Sequence, residues 1–261
     1  GKDMNIPKNS NRILELKLAG KFAHFRKFYT NASSLTYLIP PRTTICGLLA
    51  SILQIERDGY YNLMNSGNMG VAIALVPGIY YHKVFQTLNY AQDKSRKIPI
   101  NDLSAHKQCR LELLKAQGSK ELEWILFICF NTEDKDLTVL ENRILRKNFG
   151  YGLSLGQRQF IAHLELIRTY NQGEFETISE SDYLDSAIER ELIEEITSRD
   201  CDLIMERMPL EQELISEKRK SYRQTNRFGN IVLEANGKRI FGKFKDLVEI
   251  HNDRKARVSF L

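Results

Sequence analysis

The chain has 261 residues, 42% hydrophobic and 27% charged, with a formal net charge of +5. At this length it can bury a substantial core and form one elaborated domain, or one domain with a small second one. No run of about 18 apolar residues occurs and the N-terminal stretch is polar, so neither a membrane span nor a secretory signal is expected, and a soluble, cytoplasmic protein is.

The first periodic segment is 12–19, where Leu14, Leu16 and Leu18 alternate with Glu15 and Lys17 as in a half-buried strand. Residues 44–56 place Ile45, Leu48, Leu49, Ile52 and Leu53 on one side of a helix, with Thr43 or Thr44 able to cap it after Pro40-Pro41. Residues 69–76 are a nearly continuous apolar run, read as a buried strand that Pro77-Gly78 ends. Leu122–Phe130 is a further strand, with Trp124, Leu126, Ile128 and Phe130 on one face. Residues 136–147 set Leu137, Leu140, Ile144 and Leu145 at helical spacing, and 160–167 alternate again. This βαββαβ order predicts an α+β fold, a ferredoxin-like or RNA-recognition-motif-type sheet backed by two helices.

The connection from 79 to 121 is too long for a plain loop. Its flanks, 80–90 and 107–115, both read as extended, and its cations include Lys83, Lys107, Arg110 and Lys115. A β-hairpin is expected there, either carrying a partner or merely charged and exposed.

Two segments point to chemistry. Between the first strand and the first helix, Phe22, Phe25, Phe28 and Tyr29 interleave with Lys21, His24, Arg26 and Lys27. That pattern supplies faces for bases beside cations for phosphates. It equally suits a turn whose aromatic side is buried. The helix that follows offers its first amides, near Arg42, Thr43 and Thr44, as a second place for a phosphate. Further on, Gly150, Gly152 and Gly156 precede Gln157 and Arg158 and allow close backbone approach to a ligand. The alternative is a tight helix-to-strand turn with Arg158 in solvent, where Tyr151 stacks on a base or shields the turn.

Gly152-x-Ser154-x-Gly156 imitates a nucleophile elbow, but the expected order is helix then strand, the reverse of what the elbow needs. Residues 237–243 imitate a phosphate loop, yet Phe244 stands where a magnesium-binding hydroxyl belongs, so a β-turn is expected instead. Cys46, Cys109, Cys129 and Cys201 show no Cys-x-x-Cys pair, which favours core thiols over disulfides or zinc. No cofactor is implied.

Charge divides the chain. Residues 170–200 hold ten carboxylates against Arg190 and Arg199, a local −8, whereas 1–169 carry +9 and 201–261 carry +4. The expected organisation is a basic domain over 1–169, an acidic connecting segment over 170–200 that lies away from RNA, either solvated or facing a basic protein partner, and a small antiparallel β unit over 201–261. Turn signals in that last unit fall at 226–230 and 235–238. Residues 216–227 carry five cations and Tyr222, either extending a basic surface or guarding a strand edge.

Ala19-Gly20 at the end of the first strand, Ala-x-Phe-Arg at 23–26, Ser-Leu-Thr-Tyr-x-x-Pro-Pro at 34–41, the Thr43-Thr44 pair and Gly-Leu-Leu at 47–49 resemble the Cas-five family of CRISPR-associated proteins. Leu-Gly-Gln-Arg at 155–158 resembles the glycine-rich loop of its RAMP superfamily. The resemblance runs over about 12–167. It implies a subunit at the 5′ end of the guide RNA in the type I surveillance complex Cascade, with the long hairpin acting as a thumb on the RNA and on the neighbouring backbone subunit. The large subunit that recognises the target flank is the other implied partner, and target DNA an indirect one.

On these grounds the expectation is a non-catalytic cap of the crRNA 5′ handle, more like type I-B than type I-C. Phosphates would be held by Lys21, Arg26, Lys27, Arg42, Lys107, Arg110 and Arg158, and bases would stack on Phe22, Phe25 and Tyr151. His24, Thr43, Thr44, Gly156 and Gln157 complete the expected RNA-binding set. The competing reading is a metal-independent endoribonuclease, as in some type I-C relatives, for which His24, Tyr151, His106 and Lys107 are the candidate acid, base and charge-stabilising groups.

Overall fold

The computed structural model describes residues 6–29, 34–56, 58–91, 106–118, 120–147, 149 and 152–261, with the backbone alone at 88–91 and 106–109. In chain order the elements begin with β1 (Arg12–Gly20), β2 (Phe22–Ala23), α1 (Arg42–Ile52), β3 (Met69–Leu75), β4 (Tyr81–Ala91), β5 (His106–Ala116) and β6 (Leu122–Phe130). They continue with α2 (Lys135–Leu145), β7 (Leu153–Ser154), β8 (Ile161–Asn171), β9 (Phe175–Leu184), β10 (Ile188–Glu189) and β11 (Ile193–Ile196). The long strands β12 (Leu203–Glu217), β13 (Lys220–Glu234) and β14 (Ile240–Ile250) follow, then the short β15 (Arg257–Val258). The fold is α+β and rich in sheet. Among the described residues no helix is long and apolar enough to cross a membrane.

The central sheet has the order β3-β6-β1-β8-β7. Period-2 alternation sends Leu14, Leu16 and Leu18 of β1, with Trp124, Leu126 and Ile128 of β6, to one face, where α1 and α2 cover them with Ile45, Leu49, Leu137 and Leu140. The other face is not open to water at this end. Ile13, Ala72, Phe127 and Cys129 are packed under Val248, Ile250, Val258 and Phe260. Burial on both faces explains why β3 reads as an unbroken apolar run rather than an alternating one.

Both helices differ in detail from expectation. Helix α1 begins at Arg42, with Pro41 at the N-cap and no side-chain cap, so Thr43 and Thr44 lie inside its first turn. The Pro41 carbonyl accepts from the amides of Thr44 and Ile45, which removes the need for a hydroxyl cap. Helix α2 is capped by Asp134, whose carboxylate accepts from the amides of Asp136 and Leu137.

The long insertion is an antiparallel hairpin of β4 and β5, extended by β2 into a sheet of order β2-β5-β4. The expected three-part division does not match the architecture. A boundary at 169/170 cuts through β8, and the acidic 170–200 stretch is built into sheets: β9 and β11 pair with β14, and β10 with β13. Leu184, Ile188 and Ile193 point inward there while Glu176, Glu180, Asp182, Glu194 and Glu195 stay exposed. Met208, Leu210, Ile231 and Leu233 join the core under the central sheet.

Residues 226–230, expected as a turn, lie inside β13, opposite irregular register at Pro209, Glu211 and Gln212. The turn expected near 235–238 does separate β13 from β14.

Candidate nucleic-acid interface

The basic-aromatic loop leaves the central sheet at Gly20 and immediately joins the hairpin. Phe22 pairs with Lys115 across β2 and β5, and Lys115 pairs with His82 across β5 and β4. Directly opposed residues share a face, so Phe22, Lys115 and His82 form one exposed row. Phe22 is 40% exposed, with its ring centroid 6.3 Å from that of Phe160.

Phe160 closes the glycine-rich turn, which accounts for the arrival of a second segment at the same place. Leu155 N donates to Phe160 O at 2.8 Å and Phe160 N to Gln157 O at 2.9 Å, while His24 N donates to Leu155 O at 3.1 Å. Gly156 has φ +92°, and a Cβ there would stand 1.8 Å from the His24 carbonyl oxygen. The close approach that this glycine permits is therefore to the neighbouring loop, not to a ligand. Arg158 projects outward beside it, Lys21 and Arg26 are also exposed, and Gln157 is half-buried with its Oε1 accepting from Gln159 Nε2 at 2.5 Å.

Several expected contacts turn inward instead. Phe25 is buried edge-on against Trp124, with centroids 5.4 Å apart, and so is not free to stack on a base. His24 is buried with Nδ1 2.7 Å from the Glu112 carbonyl oxygen. Burial pushes its pKa below the usual histidine range, against the opposite pull of that hydrogen bond. Lys27 is buried with Nζ 2.6 Å from Glu206 Oε1. Burial works against its charge, but the hydrogen bond and attraction of Glu206 prevail and hold its pKa above the usual lysine value. Tyr29 donates to the other Glu206 oxygen at 2.8 Å, and Phe28 packs on Phe228 at 4.7 Å. This half of the loop anchors it to β12 and β13.

Arg42 is the clearest correction. It is 1% exposed, and its guanidinium donates to the carbonyls of Leu261 (2.9 Å), Met64 and Met69 (2.8 Å each) and Leu210 (3.3 Å). A fork of donors so occupied has none left for a phosphate. Thr43 and Thr44 are half-buried at the same helix end. The hollow beside Thr43 is lined by Glu211, a carboxylate that accepts from Ser66 N at 2.6 Å and repels an incoming anion.

On the hairpin, the Arg110 guanidinium lies 4.8 Å from the ring centroid of Phe85, which is 51% exposed. Lys83, 4.0 Å from Glu112, has its pKa lowered by burial and then by the nearby Lys27 charge. The side chains of His106 and Lys107 and the whole of Tyr151 lie outside the described residues. His82, absent from the expected set, and Lys115, noted there only as one hairpin cation, are brought to the row by strand register. The period of β4 and β5 gives their faces, but only the pairing with β2 reveals that Phe22 joins them.

The sequence matches the family described as CRISPR-associated protein (Cas_Cas5) over residues 13–232. No curated protein matches significantly. Among solved structures, a chain of a CRISPR RNA-guided surveillance complex aligns with a TM-score of 0.50 at 12% identity, over 85% of this chain and 89% of that one. A CRISPR protein from Archaeoglobus fulgidus gives 0.43 at 12% identity, over 95% and 97%. A chain of the Type III-B Cmr-beta complex bound to cognate target RNA and AMPPnP gives 0.44 at 14%, over 88% and 86%. The family match takes in the central sheet, the β4–β5 hairpin, the basic-aromatic loop and the glycine-rich turn, and on that span the chain belongs to the CRISPR-associated Cas_Cas5 family.

Proposed function

We propose that this chain is a non-catalytic RNA-binding subunit that caps the 5′ handle of crRNA in a type I Cascade of I-B-like form, beside the backbone and large subunits. The observation that carries the reading is the exposed row of Phe22, Lys115 and His82 set against the turn that bears Arg158. It places an aromatic face beside two cations, Lys115 and Arg158, contributed by segments far apart in sequence, the arrangement that single-stranded RNA needs for stacking and phosphate contact. Exposed Lys21, Arg26 and Arg110 extend it. Family membership supports the RNA class. The ferredoxin-like reading of the core is supported by the order β3-β6-β1-β8 with helices after β1 and β6, and the thumb reading by the β4–β5 hairpin.

A second reading, a metal-independent endoribonuclease, is favoured by one observation: the His82 imidazole and the Lys115 ammonium are cross-strand neighbours on the exposed row. Those are groups able to move a proton and to stabilise developing charge. His24 is a poor candidate for that work because burial and Glu112 occupy it.

End-labelled repeat RNA incubated in EDTA and run on native and denaturing gels at two salt concentrations separates the readings. Capping predicts intact RNA with a salt-sensitive shift that Phe22→Ala, Lys115→Ala and Arg158→Ala each weaken. Discrete cleavage abolished by His82→Ala would replace it with the nuclease, and no shift at low salt would remove both.

A further inference from the structure

The hairpin of β12 and β13 changes character along its length. Near its base every cation is engaged within the fold: Arg207 lies over Phe228 at 5.1 Å, and Arg227 pairs with Glu189 and Glu211 at 3.4 Å. From residue 213 to residue 224 both faces are exposed, apart from a half-buried Ile215. The two strands continue there as an exposed finger, tied to the body through Arg223, which hydrogen-bonds Tyr61, and Tyr222 is 45% exposed on it.

Lys218 and Arg219 form the apex. Glu217 pairs with Lys220, which leaves a two-residue connection. Both apical residues have positive φ, 43° and 70°. That is the type I′ geometry for which Asn-Gly is the favoured sequence, because side chains with a bulky Cβ are strained in the left-handed region. A lysine and an arginine therefore occupy the two positions least suited to them. Neither has an ion-pair partner among the described residues, and Lys220 adds a third cation beside them, facing Glu217. Turn stability does not account for this choice, and guarding an edge against aggregation calls for charge along the strands rather than at the tip.

We propose that the β12–β13 finger is a second nucleic-acid contact, in which Lys218 and Arg219 engage the phosphate backbone without reading sequence and Tyr222 supplies a stacking or packing surface. Glu206, which holds the basic-aromatic loop through Lys27, lies on β12 twelve residues before Lys218 at the apex, roughly 40 Å along the chain at an extended rise. The finger thus reaches phosphates remote from those at the Phe22 row. The contact does not depend on handle capping, and it can be made with single-stranded RNA or with a duplex.

Replacing the apex by the preferred turn, Lys218→Asn with Arg219→Gly, tests the idea, because it removes two charges while favouring the fold. Binding of the full chain is titrated against salt with a 30-nucleotide single-stranded RNA and, separately, with a 30-base-pair DNA duplex of unrelated sequence. The variant is expected to keep or raise its melting temperature and to bind at least one probe roughly tenfold or more weakly. On that probe the slope of log K against log salt should flatten by about 1.4 for the single strand or about 1.8 for the duplex. The probe that responds identifies the source of the phosphate. Unchanged affinity and slope on both probes, with the melting temperature kept, would overturn the proposal. Arg158→Ala with Lys115→Ala, measured in parallel, reports on the Phe22 row alone, so failure of one site is not mistaken for failure of the other.

Discussion

The Lys27 ammonium and the Glu206 carboxylate meet at 2.6 Å, with their side chains only 11% and 13% exposed, and so pin the loop after β2 to a strand near the other end of the sequence. Removing one partner leaves the other charge short of compensation in a largely dry site. Lys27→Met or Glu206→Leu alone is expected to cost about 2–4 kcal/mol in urea denaturation, and the double replacement less than the sum of the two. Additive costs would show that the two groups do not rely on each other.

Arg42 makes a different kind of prediction. Arg42→Met strands the carbonyls of Leu261, Leu210, Met64 and Met69, and about 3–5 kcal/mol of stability should be lost. RNA affinity of the fraction still folded, measured at low temperature, should match that of the unaltered chain. A loss of affinity without a loss of stability would put this guanidinium back on the RNA.

His24 carries a pH signature. Its pKa in the fold lies below the unfolded value near 6.5, chiefly through burial. As pH falls below about 6.5 the unfolded chain takes up the proton first, so stability is present above that value and declines through the window below it. Melting temperatures from pH 7.5 to 5.5 should fall less steeply for His24→Asn than for the parent, although the variant starts lower. Parallel slopes would show that other groups set the acid limb.

Gly156 and Arg158 separate architecture from contact. Gly156→Ala sets a Cβ against the His24 carbonyl at a positive φ, so both stability, by about 1–3 kcal/mol or more, and RNA affinity should drop as the turn shifts. Arg158→Ala should leave the melting temperature in place and reduce the salt slope on single-stranded RNA by about 0.7. Equal binding by both variants and the parent would remove the turn from the interface.

Much of the fold was legible because period-2 alternation is strong where one face of a strand is buried. Residues 122–130 were delimited as β6 from Trp124, Leu126, Ile128 and Phe130, and the flanks of the insertion did become β4 and β5. The acidic strands were not legible. Leu184, Ile188 and Ile193 are spaced among carboxylates that signal solvent, and their apolar partners lie on β14. Within the loop, Phe22, Phe25 and Phe28 look equivalent in sequence, yet Trp124 takes Phe25 into the core and Phe228 takes Phe28 against the C-terminal hairpin. Arg42, next to two prolines and two threonines, has the local chemistry of a surface cation. Its partners are four backbone carbonyls from three separate stretches, which no side-chain pattern announces.

Strand β3 has β6 on one side only. Its other edge is satisfied where Ala187 N donates to Ile73 O and Leu261 N to Val71 O, each at 2.8 Å. These bonds close loops of more than a hundred residues each, so their entropy must be spent before they return anything. During synthesis, β3 stands as a bare apolar edge until the residues around Ala187 and Leu261 have left the ribosome. Such a strand is a hazard for pairing with a neighbour, and a chaperone that holds it until those partners arrive would raise the yield of native protein.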